Sequence, residues 1–318
     1  MKEILVIRWK SIGDVAFTLP AVNHLRAHHP DARITFLVSR ENRFVVEAFP
    51  GIDDIWTIDR TLFRGSGVFN GIANITRLIR QIRNRGFSLV VDLQGYGETA
   101  ALARWSGAPE RWGCARRGWR RNAFTWNYAE NQHLHPAERH VRMLESVGIQ
   151  PGPIRNRLSL SETRLGEARA FLHRAQIHPD GGPIIYFQPC TSAAEKNWPI
   201  DRYVAVATHL RSLGAQVIFG GGPADHSMFA AARAAGFAVT DGLPAATSLA
   251  LLSLVRLVVG GDTGFLHLAV AVGTRVVMVA RRGPLPLGHP EWALIAPDAR
   301  IETLTVPNVI ARATEALG

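Results

Sequence analysis

The apolar residues of this chain fall into short runs separated by segments of helical period. Ile4–Trp9 is brief, apolar and β-branched, the pattern of a strand buried on both faces. A polar loop, Lys10–Asp14, follows, and Val15–His29 then predicts a helix stopped by Pro30. Arg33–Val38 and Ser88–Asp92 repeat the strand pattern. Between them Ile72–Asn84 carries Ile, Leu and Ile at helical spacing on a basic amphipathic helix. Gln150–Pro153 reads as a linker. Beyond it the pattern restarts with a helix over Ser161–Gln176, Ser161 as its N-cap, and strands at Ile184–Phe187, Gln216–Phe219, Leu257–Gly260 and Val276–Val279. Strand–helix alternation of this kind predicts parallel, doubly wound sheets. A chain of 318 residues suits two such domains, 1–157 and 158–318.

Ligands of open α/β sheets lie beyond the carboxyl ends of the strands, and a cleft between two such domains is the expected site. Candidate chemistry sits at those strand ends. Val258–Gly273 runs from a buried strand through Gly260-Gly261 to Asp262-Thr263-Gly264 and an apolar helix holding His267. Close backbone approach at the glycines, free N–H groups and the positive helix end together suit a diphosphate. Asp262 or Thr263 as a helix cap and His267 as packing is the plainer reading. Gln188–Pro199 offers the hydroxyls of Thr191 and Ser192 and the charge of Lys196, which elsewhere would be an ordinary solvated lysine. Asp14 ends the loop after the first strand, where a carboxylate can take a proton from an acceptor hydroxyl or simply cap the next helix. Phe219–Asp225 is a glycine-rich turn, suited either to a nucleoside with Asp225 on its ribose or to a tight strand-to-helix connection. Neither the GxGxxG fingerprint nor a Walker A sequence occurs, which argues against a simple dehydrogenase and a P-loop NTPase.

Charge adds a direction. Residues 1–160 hold 23 Lys and Arg against 14 Asp and Glu, whereas residues 161–318 hold 13 against 12. The net charge of +10 is therefore concentrated in the first half, which points to an anionic partner there or to a merely solubilising surface. Cys114 and Cys190 are the two cysteines, with no disulfide framework and no metal-ligand spacing. His133, His135 and His140 crowd together without a metal pattern and read as surface residues. No run reaches the ~18 apolar residues of a membrane span, and the best candidate, Leu249–Val259, is broken by Arg256. A cytoplasmic protein with at most peripheral membrane contact is expected.

Taken together, four stretches resemble glycosyltransferase family 9, the ADP-heptose:lipopolysaccharide heptosyltransferases. They are Ser11-Ile-Gly-Asp14 with Leu19-Pro-Ala21, Asp92-Leu-Gln94-Gly95, Lys196-Asn-Trp-Pro199, and Gly261-Asp262-Thr263-Gly264 with His267-Leu-Ala269, in the family's order along almost the whole chain. The resemblance implies a GT-B fold of two Rossmann-like domains, acceptor in the first and nucleotide sugar in the second. It implies inverting transfer without metal or other cofactor, with ADP-heptose as co-substrate. Asp14 becomes the general base. Thr191, Ser192, Lys196, Asp262, Thr263, Gly264 and His267 become donor contacts, with Asp225 on the ribose and Thr247 at the adenine edge. Lys10, Arg60, Arg64, Gln94 and Arg120 are candidates for the acceptor, an anionic glycolipid at the cytoplasmic face of the inner membrane rather than nucleic acid. Arg116, Arg117 and Arg121, interleaved with Trp119, are further basic candidates. The final helix, about 307–318, is expected to pack back on the first domain.

Two departures from the family stand out. Family members usually follow the last strand with a Phe/Tyr-Gly-Pro-Thr-Asp-Pro loop, where this chain has Ala280-Arg281-Arg282-Gly283-Pro284. Cys190 stands where a small residue is usual. Both leave room for another donor sugar or acceptor, for a non-catalytic nucleotide- or glycan-binding protein, or for a sugar-nucleotide epimerase on the same fold.

Overall fold

The computed structural model describes residues 1–61, 67–115, 118–240 and 242–318, without the side chains of 67–72 and 223. Arg64, Arg116 and Arg117 lie outside the described residues. The chain forms two compact units, Met1–Asn156 and Arg157–Gly318.

The first unit carries strands β1 (Glu3–Ile7), β2 (Arg33–Ser39), β3 (Asp54–Ile58), β4 (Leu89–Asp92), β5 (Glu110–Gly113) and β6 (Trp126–Asn127). They form one parallel sheet in the order β3-β2-β1-β4-β5-β6. Its helices are α1 (Ile12–Ala16), α2 (Leu19–His28), α3 (Arg43–Val46), α4 (Gly67–Arg85), α5 (Gly97–Trp105) and α6 (Pro136–Glu145). Central β1 has no exposed surface from Ile4 to Ile7, which accounts for its unbroken apolar run. Leu78 and Ile82 of α4 and Leu102 of α5 cover the same sheet face as Leu5, Ile7 and Val90.

The second unit repeats the plan. Strands β7 (Ile184–Gln188), β8 (Gln216–Phe219), β9 (Ala238–Val239), β10 (Leu257–Gly261), β11 (Arg275–Ala280) and β12 (Ala293–Ile295) run parallel in the order β12-β11-β10-β7-β8-β9. Its helices are α7 (Glu162–Arg174), α8 (Ile200–Ser212), α9 (Ala230–Ala234), α10 (Ala245–Leu252), α11 (Gly264–Ala271) and α12 (Val306–Leu317). Phe187 and Phe219 stack with centroids 5.2 Å apart, and Trp198 meets Tyr203 edge-on at 4.8 Å. Trp198 also donates Nε1–H to the Leu304 carbonyl at 2.8 Å, tying the Lys196 loop to the body of the unit. In each sheet the strand order reverses between the first and fourth strands, β1/β4 and β7/β10, and those are the switch points where such folds bind ligands.

Two expectations change. Val15–His29 is not one helix: the chain breaks at Phe17-Thr18 and restarts with Pro20 in the first turn of α2. A proline ring there clashes with the carbonyl four residues earlier, so α1 cannot continue into α2. The outer strands β3, β5, β6, β9 and β12 escaped the hydrophobic pattern because they are short and largely half-buried. The last helix belongs to the second unit. Val309, Ala313 and Ala316 of α12 are buried in that unit's core, and α12 packs on α8, β10 and β11.

Candidate active site

In the first unit the polar groups gather beyond β1 and β4. Ser11 opens α1, and Asp14, three residues on, accepts from the Ser11 amide and hydroxyl at 3.1 Å each. Asp14 is therefore the returning member of a capping box, not the N-cap considered from the sequence. It also pairs with Arg8 at 3.1 Å. Burial works against the charge of Asp14, but Arg8 and the Ser11 bonds prevail and hold its carboxyl below the usual range. Arg8 is itself fixed by the carbonyls of Leu93 and Lys10. Gln94 accepts from the Trp9 amide at 3.1 Å and the Lys10 amide at 3.4 Å, so it shapes the β1 loop. Asp92, wholly buried at the end of β4, accepts from the Gln94 and Gly95 amides at 2.8 and 3.1 Å. Burial pushes its carboxyl up to about 6.

These groups open onto a cavity of about 490 Å³ lined by Arg8, Asp14, Gln94, Arg120, Glu130 and His140, among others. Lys10 lies over the Tyr96 ring at 5.2 Å. Arg60 is drawn to Glu41 at 3.1 Å. His140 is not a surface residue: it is 4 % exposed, its Nδ1 lies 3.2 Å from the Phe17 carbonyl, and burial pushes it down to about 4. His135 instead caps α6, accepting from the Ala137 amide at 3.2 Å. Sequence reasoning missed Arg8, Glu130 and His140. Only Arg8 left a signal, a charge at the end of an otherwise apolar strand.

In the second unit the neighbouring ends of β7 and β10 bring two distant motifs together. Lys196 donates to Asp262 Oδ2 at 2.9 Å, and His267 Nε2 lies 3.3 Å from Asp262 Oδ1. Burial opposes ionisation of Asp262, but His267 and Lys196 hold its carboxyl below the usual range. Thr263, not Asp262, is the cap of α11, accepting from the Leu266 amide at 3.2 Å. A Cβ on Gly261 would lie 2.7 Å from Thr191 Cγ2, so only glycine lets the two loops meet there. Thr191 is held by Asn197, whose Oδ1 accepts its amide at 2.9 Å, while Ser192 is exposed. Asp225 accepts from the Gly222 amide at 2.9 Å and closes the glycine-rich turn. Cys190 is buried beside it, and burial pushes the thiol up to about 12. Thr247 is buried in α10 and donates to Glu167 at 2.5 Å, which gives its hydroxyl a partner within the unit. Among the described residues no group of three His, Cys, Asp or Glu is arranged to hold a metal, and no helix is long and apolar enough to cross a membrane.

Two Rossmann-like units, each with polar side chains gathered at its switch point, are the GT-B fold. The profile of glycosyltransferase family 9 (heptosyltransferase) matches residues 75–280, and the chain belongs to that family. It is 24% identical over 297 residues to the lipopolysaccharide core heptosyltransferase OpsX of Haemophilus influenzae, covering 89% of this chain and 80% of that protein. In structure it is similar to the E. coli ADP-heptose lps heptosyltransferase II, with a TM-score of 0.83, 21% identity, and 100% and 98% of the two chains covered. The E. coli heptosyltransferase WaaC with ADP-2-deoxy-2-fluoro heptose is similar at a TM-score of 0.79 and 19% identity, over 98% and 99%.

Proposed function

We propose that this glycosyltransferase moves a heptose from ADP-heptose onto a sugar of an anionic lipopolysaccharide core, with inversion and without a metal, at the cytoplasmic face of the membrane. The observation that carries this reading is the Lys196–Asp262–His267 constellation beside the Thr263-capped start of α11. A lysine and a helix N-terminus are the groups that stabilise a departing diphosphate where no metal does so. The second unit then holds the nucleotide sugar, with Gly264, Thr191, Ser192 and Asp225 around its phosphates and ribose. Thr247 serves the adenine only if its bond to Glu167 yields. The first unit takes the acceptor in the cavity that Asp14 and Arg120 line, with Lys10 at its edge and Gln94 holding the loop.

The chemistry follows from these roles. The acceptor hydroxyl oxygen attacks the anomeric carbon from the face opposite the diphosphate and passes its proton to Asp14. The bond from that carbon to the phosphate oxygen breaks, and ADP leaves. Names of relatives supply the nucleotide: ADP-heptose for heptosyltransferase II and an ADP-heptose analogue for WaaC. The test is a thermal-shift comparison of ADP, GDP and UDP, followed by transfer with ADP-heptose and a truncated core acceptor in excess chelator. Stabilisation scales with RT ln(1 + [L]/Kd), so ADP should raise the melting temperature most. Preference for UDP or GDP overturns the donor. Loss of transfer in chelator, restored by magnesium, overturns the metal-free mechanism.

A further inference from the structure

The turn after β11 lies on the diphosphate constellation. Gly283 has φ of +135°, and a Cβ there would sit 2.6 Å from Asp262 Oδ2, so this turn packs backbone against the carboxylate. β11 runs beside β10, with Val279 opposite Gly261, which brings Ala280–Gly283 alongside Asp262. Arg281, two residues before Gly283, points its Nη2 at Glu195 Oε1, 3.7 Å away. Glu195 is the immediate neighbour of Lys196 in the same short 3-10 turn. Two loops more than eighty residues apart, each bearing a cation, thus meet around Asp262 and Glu195 at the strand ends.

Charge decides what the second cation is for. Lys196 is already matched by Asp262 at 2.9 Å, so that pair brings little net positive charge to the site. A diphosphate carries a negative charge on each phosphate and gains another as the glycosidic bond breaks. The neutralised pair adds little against that, and the start of α11 supplies only about half a positive charge. The Arg281–Glu195 contact is longer than a hydrogen bond, and the Glu195 side chain is 61% exposed. Such rim pairs are weak, whereas arginine on phosphate forms two parallel charge-assisted bonds. We propose that Arg281 is a second diphosphate-binding cation, parked beside Lys196 by Glu195 and transferred to the terminal phosphate when donor binds.

This inference rests on the proposed nucleotide-diphosphate donor, and the test separates the two. Calorimetric titrations of ADP and AMP are made on the full chain and on Arg281→Ala, Arg281→Lys and Glu195→Gln. Loss of Arg281 should weaken ADP about tenfold, the scale of one charge-assisted bond, and change AMP by less than about twofold. Arg281→Lys should recover part of the loss, and Glu195→Gln should bind ADP as tightly as the parent or more so. Equal weakening of ADP and AMP would mean that the turn merely supports the pocket, and unchanged ADP affinity would mean that Arg281 never reaches the phosphate. Either result overturns the role of Arg281. If the parent chain prefers another nucleotide, the adenine assignment falls, and the same diphosphate-to-monophosphate comparison with that nucleotide still decides Arg281. A parent chain that binds no nucleoside diphosphate overturns both.

Discussion

Asp14 joins a structural role to the chemical one proposed for it. Its Oδ2 closes the capping box with Ser11 and receives Arg8, which leaves Oδ1 for the proposed proton transfer. The pair with Arg8 keeps it ionised, the state a general base needs at neutral pH. Asp14→Asn retains an acceptor for Ser11 but cannot take a proton. Turnover should fall ~100-fold or more, the scale of losing a general base, while ADP affinity stays within about twofold. Thermal melting would show whether the fold is kept. Near-normal turnover in a folded variant would assign the proton to another group.

At the level of elements, β4 and α6 carry two buried groups whose protonation works in opposite directions. Asp92 at the end of β4 has its pKa raised from 3.8 to about 6, so its contribution to stability is present at low pH and lost as pH rises through that window. His140 of α6 is lowered from 6.5 to about 4, so its contribution is present above 6.5 and lost as pH falls towards 4. Each change is on the order of 3 kcal/mol, and the two nearly cancel over the same range. Asp92→Asn keeps the acceptor for the Gln94 and Gly95 amides and removes one side of this balance. Urea unfolding between pH 4 and 7 should then show stability climbing with pH by roughly 3 kcal/mol, against a much flatter profile for the parent. Parallel profiles would mean that Asp92 does not titrate in this range.

For the molecule as a whole, the imbalance of charge takes a defined place. α4 and α5 pack side by side on one face of the first sheet, and the turn Gly118–Ala123 lies against α5. Arg77, Arg80, Arg83, Arg104 and Arg121 are exposed on these elements, with Trp105 and Trp119 each about half exposed. Basic side chains with interfacial tryptophans are the composition of a surface that rests on anionic lipid. Arg120 lines the cavity and is unsuited to a docking test, since its loss would also disturb the proposed acceptor. Replacing Arg77, Arg80, Arg104 and Arg121 by Gln should weaken binding to phosphatidylglycerol vesicles at low salt by at least tenfold, at about 1 kcal/mol per basic residue near the surface. ADP binding should be unaffected. Unchanged vesicle binding would reduce these arginines to a solvated face.

The central strands and the glycine-bearing loops were legible in the sequence because their local chemistry is extreme. Ile4–Ile7, Leu89–Asp92, Ile184–Gln188 and Leu257–Gly261 are apolar enough to be buried on both faces, and all but Leu89–Asp92 end at a loop whose residue types already suggested anion or proton chemistry. The outer strands left no such mark, since a half-buried strand of two to five residues needs neither length nor an apolar run. Which polar residues face one another was decided only by tertiary structure. Lys196 meets Asp262 across 66 positions because sheet order sets β7 beside β10. Glu195 meets Arg281 because β11 follows on the other side of β10. Hydrophobic periodicity specifies which face of an element is buried, but it carries no information on which strand lies next to which. That order is set by the handed crossovers of the whole sheet, and the pairing of charges at the strand ends follows from it.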